Sequence, residues 1–240
     1  MHKSIVLTVL VGATTFLSCH KSDHPASNNS CKLTGLQVKG NGWSENYIIA
    51  YGSDGRLSNV QYSDGSTSYT RSFTYASGMI IINITGTSPA IDTVFLNANG
   101  DADHIIMHMG SSNVTVYRFT YDSNRQLTKT SSQTNGGGVI EATYQYNNGD
   151  ITEVDQAGGS YIYSYYTDKP SAPGDPEVLG QWIQFGVVYQ KVRHLVKSIS
   201  GGSVTESITY TFDASGKIIS ATQGSGSNDM ATSTYTYDCN

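Results

Sequence analysis

Apolar and polar residues alternate with period two along many short stretches of this chain. Tyr117, Phe119 and Tyr121 alternate with Arg118 and Thr120, Ile208, Tyr210 and Phe212 with Thr209 and Thr211, and Tyr161, Tyr163 and Tyr165 with Ile162 and Ser164. Alternation of this kind marks β-strands with one aromatic face and one hydroxyl-rich face. Each such stretch ends on an aromatic or at an equivalent position, turns through Asp, Asn or Gly, and hands over to a stretch that begins on an aliphatic. Tyr47-Ile-Ile-Ala-Tyr51 leads through Gly-Ser-Asp-Gly-Arg to Leu57, and Tyr117-Arg-Phe-Thr-Tyr121 through Asp-Ser-Asn-Arg-Gln to Leu127. Thr209-Tyr-Thr-Phe212 leads in the same way through Asp-Ala-Ser-Gly-Lys to Ile218. Tyr51, Tyr75, Asn97, Tyr121 and Tyr146 are 24, 22, 24 and 25 residues apart, and Phe212 and Tyr237 are 25 apart, so one hairpin-sized unit recurs along the chain.

The second strands of the units, such as Leu57–Tyr62, Leu127–Thr130 and Ile151–Asp155, carry a weaker pattern. Asp54-Gly55, Asp64-Gly65, Asn99-Gly100 and Asn148-Gly149 suit two-residue hairpin turns, which need positive φ angles. Together these features predict an all-β antiparallel up-and-down meander of about 14–16 short strands. A round barrel of sixteen strands at ~4.8 Å spacing is roughly 30 Å across, too wide for wall side chains to fill. The predicted barrel is therefore flattened, wet inside or plugged. Strands of about six to eight residues are also shorter than the ~9–11 that a tilted strand needs to cross hydrocarbon, which favours a barrel in water over a membrane pore.

The repeat is interrupted at 167–194, where three of the five prolines fall (Pro170, Pro173, Pro176). Asp175 before Pro176 is an N-cap followed by a first helical residue, and Gly186 is a stop signal. Val178, Leu179, Trp182 and Ile183 make one apolar helical face. The expectation is a short helix that caps or plugs a barrel mouth. Trp182, Phe185 and Tyr189 are the candidate ligand contacts of this insert, with Trp182 also suited to a purely structural role.

At the N-terminus, Met1-His2-Lys3 precedes an uncharged, mostly apolar run from Ser4 to Leu17 that ends at Ser18-Cys19. The run is too short to span a bilayer and has a secretory layout. Its small residue before a cysteine resembles a bacterial lipoprotein signal, which implies lipidation at Cys19. The expected organisation is a signal peptide over 1–18, a flexible tether over 19–30 and one β-domain over 31–240. With Cys19 acylated, Cys31 and Cys239 are the remaining cysteines, and they bracket the domain. A disulfide between them makes first and last strands neighbours and closes the sheet, and two free thiols are the alternative. With 14% charged residues and a net charge of −5, no basic surface for nucleic acid is indicated.

The strand, Tyr-Asp turn, strand array behind such a precursor resembles a family of Bacteroidota lipoproteins of unknown function with a porin-like fold. Its most specific part is Phe185-Gly-Val-Val-Tyr-Gln-Lys-Val-Arg-His-Leu195, although that family's proline is replaced by Val196 here. The Tyr-Asp units are also similar, more weakly, to the YD repeats of large secreted shells. The resemblance implies a flattened, porin-like barrel and an outer-membrane-anchored lipoprotein, periplasmic or surface-exposed, and supplies no catalytic residue.

Other candidate chemistry is thin. Asn97, Asn99, Asp101 and Asp103 offer oxygens for calcium but lack a closing Glu. His104 and His108 lie ~13 Å apart on a strand, too far to share zinc. Glu153 and Asp155 share a strand face at a spacing that glycosidases use, and no nucleophile elbow or phosphate loop is present. No cofactor and no metal site is expected. The functional expectation is a non-catalytic envelope module that binds a glycan or other small ligand at a barrel mouth, with a secreted hydrolase using an unrecognised carboxylate site as the alternative.

Overall fold

In the computed structural model, the described residues are 31–109, 113–202, 204–226 and 229–239. The expected signal peptide, tether and Cys19 lie outside them. Sixteen strands run β1 (Lys32–Gly40), β2 (Trp43–Tyr51), β3 (Leu57–Ser63), β4 (Ser68–Ala76), β5 (Met79–Gly86), β6 (Ala90–Leu96), β7 (Ala102–Met109) and β8 (Asn113–Tyr121). They continue as β9 (Leu127–Thr134), β10 (Val139–Asn147), β11 (Asp150–Gln156), β12 (Gly159–Pro170), β13 (His194–Gly201), β14 (Val204–Phe212), β15 (Ile218–Gly224) and β16 (Ala231–Asp238). Every strand pairs antiparallel with its sequence neighbours, and β1 pairs with β16, so the meander closes into a barrel. Cys31 and Cys239 are disulfide-bonded beside that seam.

Both chain ends and the Tyr-Asp turns gather at one end of the barrel, here the near mouth; the far mouth carries the alternate turns. The Tyr-Asp turns have a shared local logic. In Asn97–Asp101, Asp122–Gln126 and Asp213–Lys217 the first side chain's Oδ1 accepts two backbone N–H groups, and a backbone N–H to carbonyl bond closes the five-residue loop. The fourth residue takes positive φ: Gly100, Arg125 and Gly216. An Asp or Asn after the aromatic therefore supplies acceptors that the turning backbone needs. Gly52–Arg56 closes the same way with Gly55 at φ 79°. Of the four expected two-residue turns, Asn148-Gly149 has that form, with both residues at positive φ between Asn147 and Asp150. Asp54-Gly55, Asp64-Gly65 and Asn99-Gly100 sit instead in longer loops, where only the glycine takes positive φ.

The weak pattern of the second strands has a physical cause. Next to the turn, register shifts occur against Leu57, Ala102, Leu127, Ile151 and Ile218. Each bulge puts two successive residues outside, so burial runs i, i+3 instead of i, i+2: Leu57 and Val60, Ala102 and Ile105, Leu127 and Thr130, Ile151 and Val154, Ile218 and Ala221. Strands are also longer than expected, seven to twelve residues. The nine-residue strands reach the lower bound for spanning hydrocarbon, so length does not separate a water-facing barrel from a membrane pore.

The composition of the outer wall bears on the same question. Across five strands the outward row reads Thr120, Lys129, Thr143, Asp155, Ser160. Another reads Lys39, Thr232, Thr222, Thr209. A membrane barrel carries an apolar band ~25 Å tall around its whole outside. Here hydroxyls, amides and charges occupy those positions, and the more apolar row Ile81, Thr93, Ile106, Val116 covers only β5–β8. The inner wall holds the apolar residues, including Ile49, Val60, Ile82, Val94, Ile105 and Ile208.

The lumen is filled from the near mouth by residues 171–193. Their helix α1 (Pro176–Phe185) is capped as expected: Asp175 Oδ1 accepts from Glu177 N, and Gly186 is left-handed at φ 67°. The expected one-sided apolar face is replaced by burial around most of the helix. Leu179, Gln181, Ile183 and Phe185 are buried, while Val178 and Trp182 pack partly buried against the core. The reason is topological, since a helix inside a barrel meets wall on every side. Trp182 meets Tyr51 of β2, Tyr189 meets Phe119 of β8, and Gln223 of β15 donates to Glu177.

Candidate functional site

The plug is tied to the near mouth by buried charge. Asp101, 1% exposed, takes a bidentate pair from Arg125 at 2.8 and 2.7 Å, and Lys191 of the insert lies 3.6 Å away. Asp150 accepts from the backbone N–H groups of Arg193 and His194 and meets the His194 ring at 2.6 Å. Asp175 Oδ2 accepts from Val196 N, and the Tyr237 hydroxyl donates to the Pro173 carbonyl. The near mouth is sealed by structural bonds, and the inward residues there, such as Leu33, Leu57, Leu127 and Ile151, are at most 3% exposed.

The candidate contacts of the insert belong to this seal. Phe185 is 4% and Tyr189 2% exposed, so neither presents a ligand-sized surface, and burial pushes the Tyr189 hydroxyl pKa well up. Trp182 is half-buried with its ring 5.9 Å from that of Tyr51. The plug thus has an evident packing function for all three. The calcium candidates are engaged as well. Asn97 Oδ1 caps its own turn, Asp101 is held by Arg125, and Asp103 meets His104 at 2.7 Å. Glu153 and Asp155 point outward, bonded to Gln145 and Ser160. Among the described residues no group of three or more His, Cys, Asp or Glu is placed to hold a metal.

Toward the far mouth the inner wall changes character. The cross-strand row Tyr235, Leu36, Tyr47, Tyr62, Tyr69 begins buried and ends half-exposed at the rim. The Tyr47 and Tyr62 rings meet edge-on at 5.1 Å, and Tyr62 stacks on Tyr69 at 4.5 Å with planes 15° apart. Arg71, two residues on in β4 and opposite the buried Val60, lays its guanidinium over Tyr69 at 4.5 Å. Its NH1 donates to the Tyr69 hydroxyl at 2.9 Å. Tyr47 donates to Glu45 at 2.8 Å, and burial with this nearby carboxylate keeps the Tyr47 phenol protonated far above its ordinary range. A half-open concavity of about 350 Å³ abuts the cluster on the outer wall, lined by Asn46, Ile48, Gln61, Tyr62, Tyr69 and Thr85 among others. The stacked tyrosines and Arg71 thus form an aromatic cluster on the inner side of the rim, while the amides and hydroxyls of the concavity stand on the opposite face of the same strands.

A second group lies behind the plug. Glu177 is pushed up to about 8 by burial and by the neighbouring charges of Asp175 and Glu206, and Gln223 donates to it at 3.3 Å. Asp175 is raised to about 6 by burial, and Glu206 is raised by the same cause. A carboxyl whose folded pKa is raised favours folding while it is protonated, and that contribution fades as pH climbs from the unfolded value through the folded one. The window for Glu177 runs from its ordinary value of 4.5 to about 8. Glu177→Gln is therefore expected to raise the melting temperature at pH 8 and leave it unchanged at pH 4. Equal melting shifts at both values would show that the charge of Glu177 does not oppose folding.

The far-mouth cluster was not legible as a site in the sequence. Its signal was an arginine at an inward position of an aromatic strand, Tyr69-Thr-Arg71-Ser-Phe73-Thr-Tyr75. Inwardness becomes evident only from the register.

No known family profile and no curated protein matches the chain. Among solved structures, it is similar to a porin-like protein from Bacteroides uniformis, with 15% identity and a TM-score of 0.66 over 86% of this chain and 98% of that one. A porin-like protein from Bacteroides vulgatus aligns over the same shares with 8% identity and a TM-score of 0.37. The first likeness, at that identity, shows the fold: a closed sixteen-stranded antiparallel barrel.

Proposed function

We propose that this protein is a non-catalytic binding module of the bacterial cell envelope, held to a membrane through lipid on Cys19 and binding a glycan or other small ligand at its far mouth. The observation that carries the binding reading is the half-exposed Tyr47, Tyr62, Tyr69 cluster with Arg71 at the far rim of the barrel. The polar outer wall supports a barrel that stands in water, which leaves attachment to the N-terminal lipid. Tyrosine rings offer sugars apolar contact with a hydroxyl beside it, and Tyr62 and Tyr69 also edge the outer-wall concavity, where Asn46, Gln61, Ser63 and Thr70 supply amides and hydroxyls.

A glycan array probed with residues 31–240 tests this. Binding is expected, with loss of tenfold or more for Tyr62→Ala combined with Tyr69→Ala, since stacked aromatics each contribute about 1 kcal/mol or more. Unchanged binding by the double variant removes the cluster from the site. The anchor is tested by intact mass of protein extracted from membranes: acyl mass on a chain beginning at Cys19 supports it, and a soluble chain with another start refutes it.

The hydrolase reading has one observation in its favour, the Glu177 and Glu206 carboxyls with Gln223 behind the plug. A two-carboxylate hydrolase needs one group ionised and one protonated. Burial here pushes both upward, which disfavours the ionised partner. Release of reducing ends in the same glycan incubations would favour this reading over the first.

A further inference from the structure

Half of the twelve described lysines and arginines form no salt bridge, and among these Arg71 is set apart by where it points. Arg56, Arg125, Lys129, Lys169, Lys191 and Lys217 each lie within salt-bridge distance of a carboxylate. Arg71 forms no such bridge, although it faces inward between Val60 of β3 and Ile84 of β5. One amino group, NH1, bonds the Tyr69 hydroxyl, and the guanidinium plane rests on the Tyr69 ring. Its Nε is buried and meets no acceptor. A buried guanidinium N–H without an acceptor is costly, because its hydration has been removed and nothing replaces it.

The neighbouring carboxylates do not fill this role. Asp92, 3% exposed, is near enough for the Arg71 charge to act on it, yet its Oδ1 accepts from His108 N at 2.7 Å and no bond to Arg71 forms. The His108 ring stands 3.8 Å from the same oxygen. Glu45 is held by Tyr47. The stacking and the NH1 bond instead fix the guanidinium plane, and its Nε side is the edge that carboxylates take in a two-point bond.

We infer that the far mouth selects acidic sugars, with Arg71 receiving the carboxylate of a uronic acid residue whose neighbouring ring packs against the half-exposed edge of the Tyr62 and Tyr69 pair. The inference rests on the glycan reading above and narrows it to a charge class. A planar carboxylate matches the guanidinium fork, and the fixed stack on Tyr69 leaves the Arg71 side chain little freedom to lose on binding. Glu45 and Asp92 at the same mouth set a repulsive background, so the carboxylate has to be delivered to the Arg71 edge and a polyanion without sugar rings to pack beside the tyrosines gains little.

The test uses one glycan in two charge states: oligogalacturonides and their methyl esters, titrated into the unmodified domain. The free acid is expected to bind tenfold or more tighter than the ester, the range of a charge-assisted hydrogen bond lost. Arg71→Gln should bring acid and ester to equal affinity, and Arg71→Lys, which keeps charge but not the fork, should recover part of the difference. Equal affinities of acid and ester for the unmodified protein overturn the inference while leaving glycan binding standing. Binding of neither, with no other glycan bound, overturns the glycan reading itself. Because the ester comparison needs no variant, misfolding of an Arg71 variant does not blur the outcome.

Discussion

Removing the plug is expected to unfold this barrel. Deleting Ser171 to Val187 takes away Leu179, Ile183 and Phe185, each at most 6% exposed, and strips cover from Val188, Tyr189 and the near-mouth wall. Buried side chains of this size contribute about 1.5–3 kcal/mol each, so the loss is on the order of 10 kcal/mol, within the usual range of total domain stability. The deletion variant should lose its β circular-dichroism signal or melt below room temperature. Phe185→Ala alone should cost about 3–5 kcal/mol. A deletion variant that keeps a cooperative melt near that of the parent would show that the wall is self-supporting and the insert merely a guest. The sequence pattern alone left cap and plug as equal readings, because it could not show that the segment turns inward.

Reduction of the disulfide is expected to produce the other large loss. Cys31 and Cys239 are separated by 208 positions, and the loop-closure model gives about 5 kcal/mol for a ring of that size, an upper figure when native strain is ignored. For a domain of this length that corresponds to roughly 10 °C or more in melting temperature. Cys239→Ser should reproduce the shift and speed hydrogen exchange in β1 and β16, while the interior hairpins from β4 to β11 stay protected. If reduction leaves melting and exchange unchanged, the backbone ladder between β1 and β16 closes the barrel unaided. The bridge also keeps two strand edges from opening toward other chains.

Much of this architecture was readable because the chain repeats itself. The first strand of each unit obeys period two without interruption, as in Tyr117 to Tyr121, and the turns need Asp, Asn or Gly for reasons that are local. The helix caps Asp175 and Gly186 are equally local, and the cysteines at the domain ends pointed to closure. What was hidden depends on register. Bulges at Leu57, Leu127, Ile151 and Ile218 broke the alternation of the second strands and made real strands look unpatterned. Which mouth is filled was equally hidden, because Phe185 and Tyr189 look the same in sequence whether they line an opening or pack a core. The half-exposed row of Tyr47, Tyr62 and Tyr69 comes from three different strands and becomes one surface only when those strands align.

The plug also acts as a gauge. Five of the hairpins repeat the same bulge and aliphatic seat beyond the turn, so a gene could gain or lose one by unequal duplication without disturbing the rest. One hairpin changes the girth by two strand spacings, ~10 Å, and the bore by about 3–4 Å once tilt is included. The insert touches β2, β8 and β15 at once through Trp182, Tyr189 and Glu177. A wider ring would leave it rattling and a narrower one would crush it. The segment that breaks the repetition is thus what holds the copy number at eight hairpins.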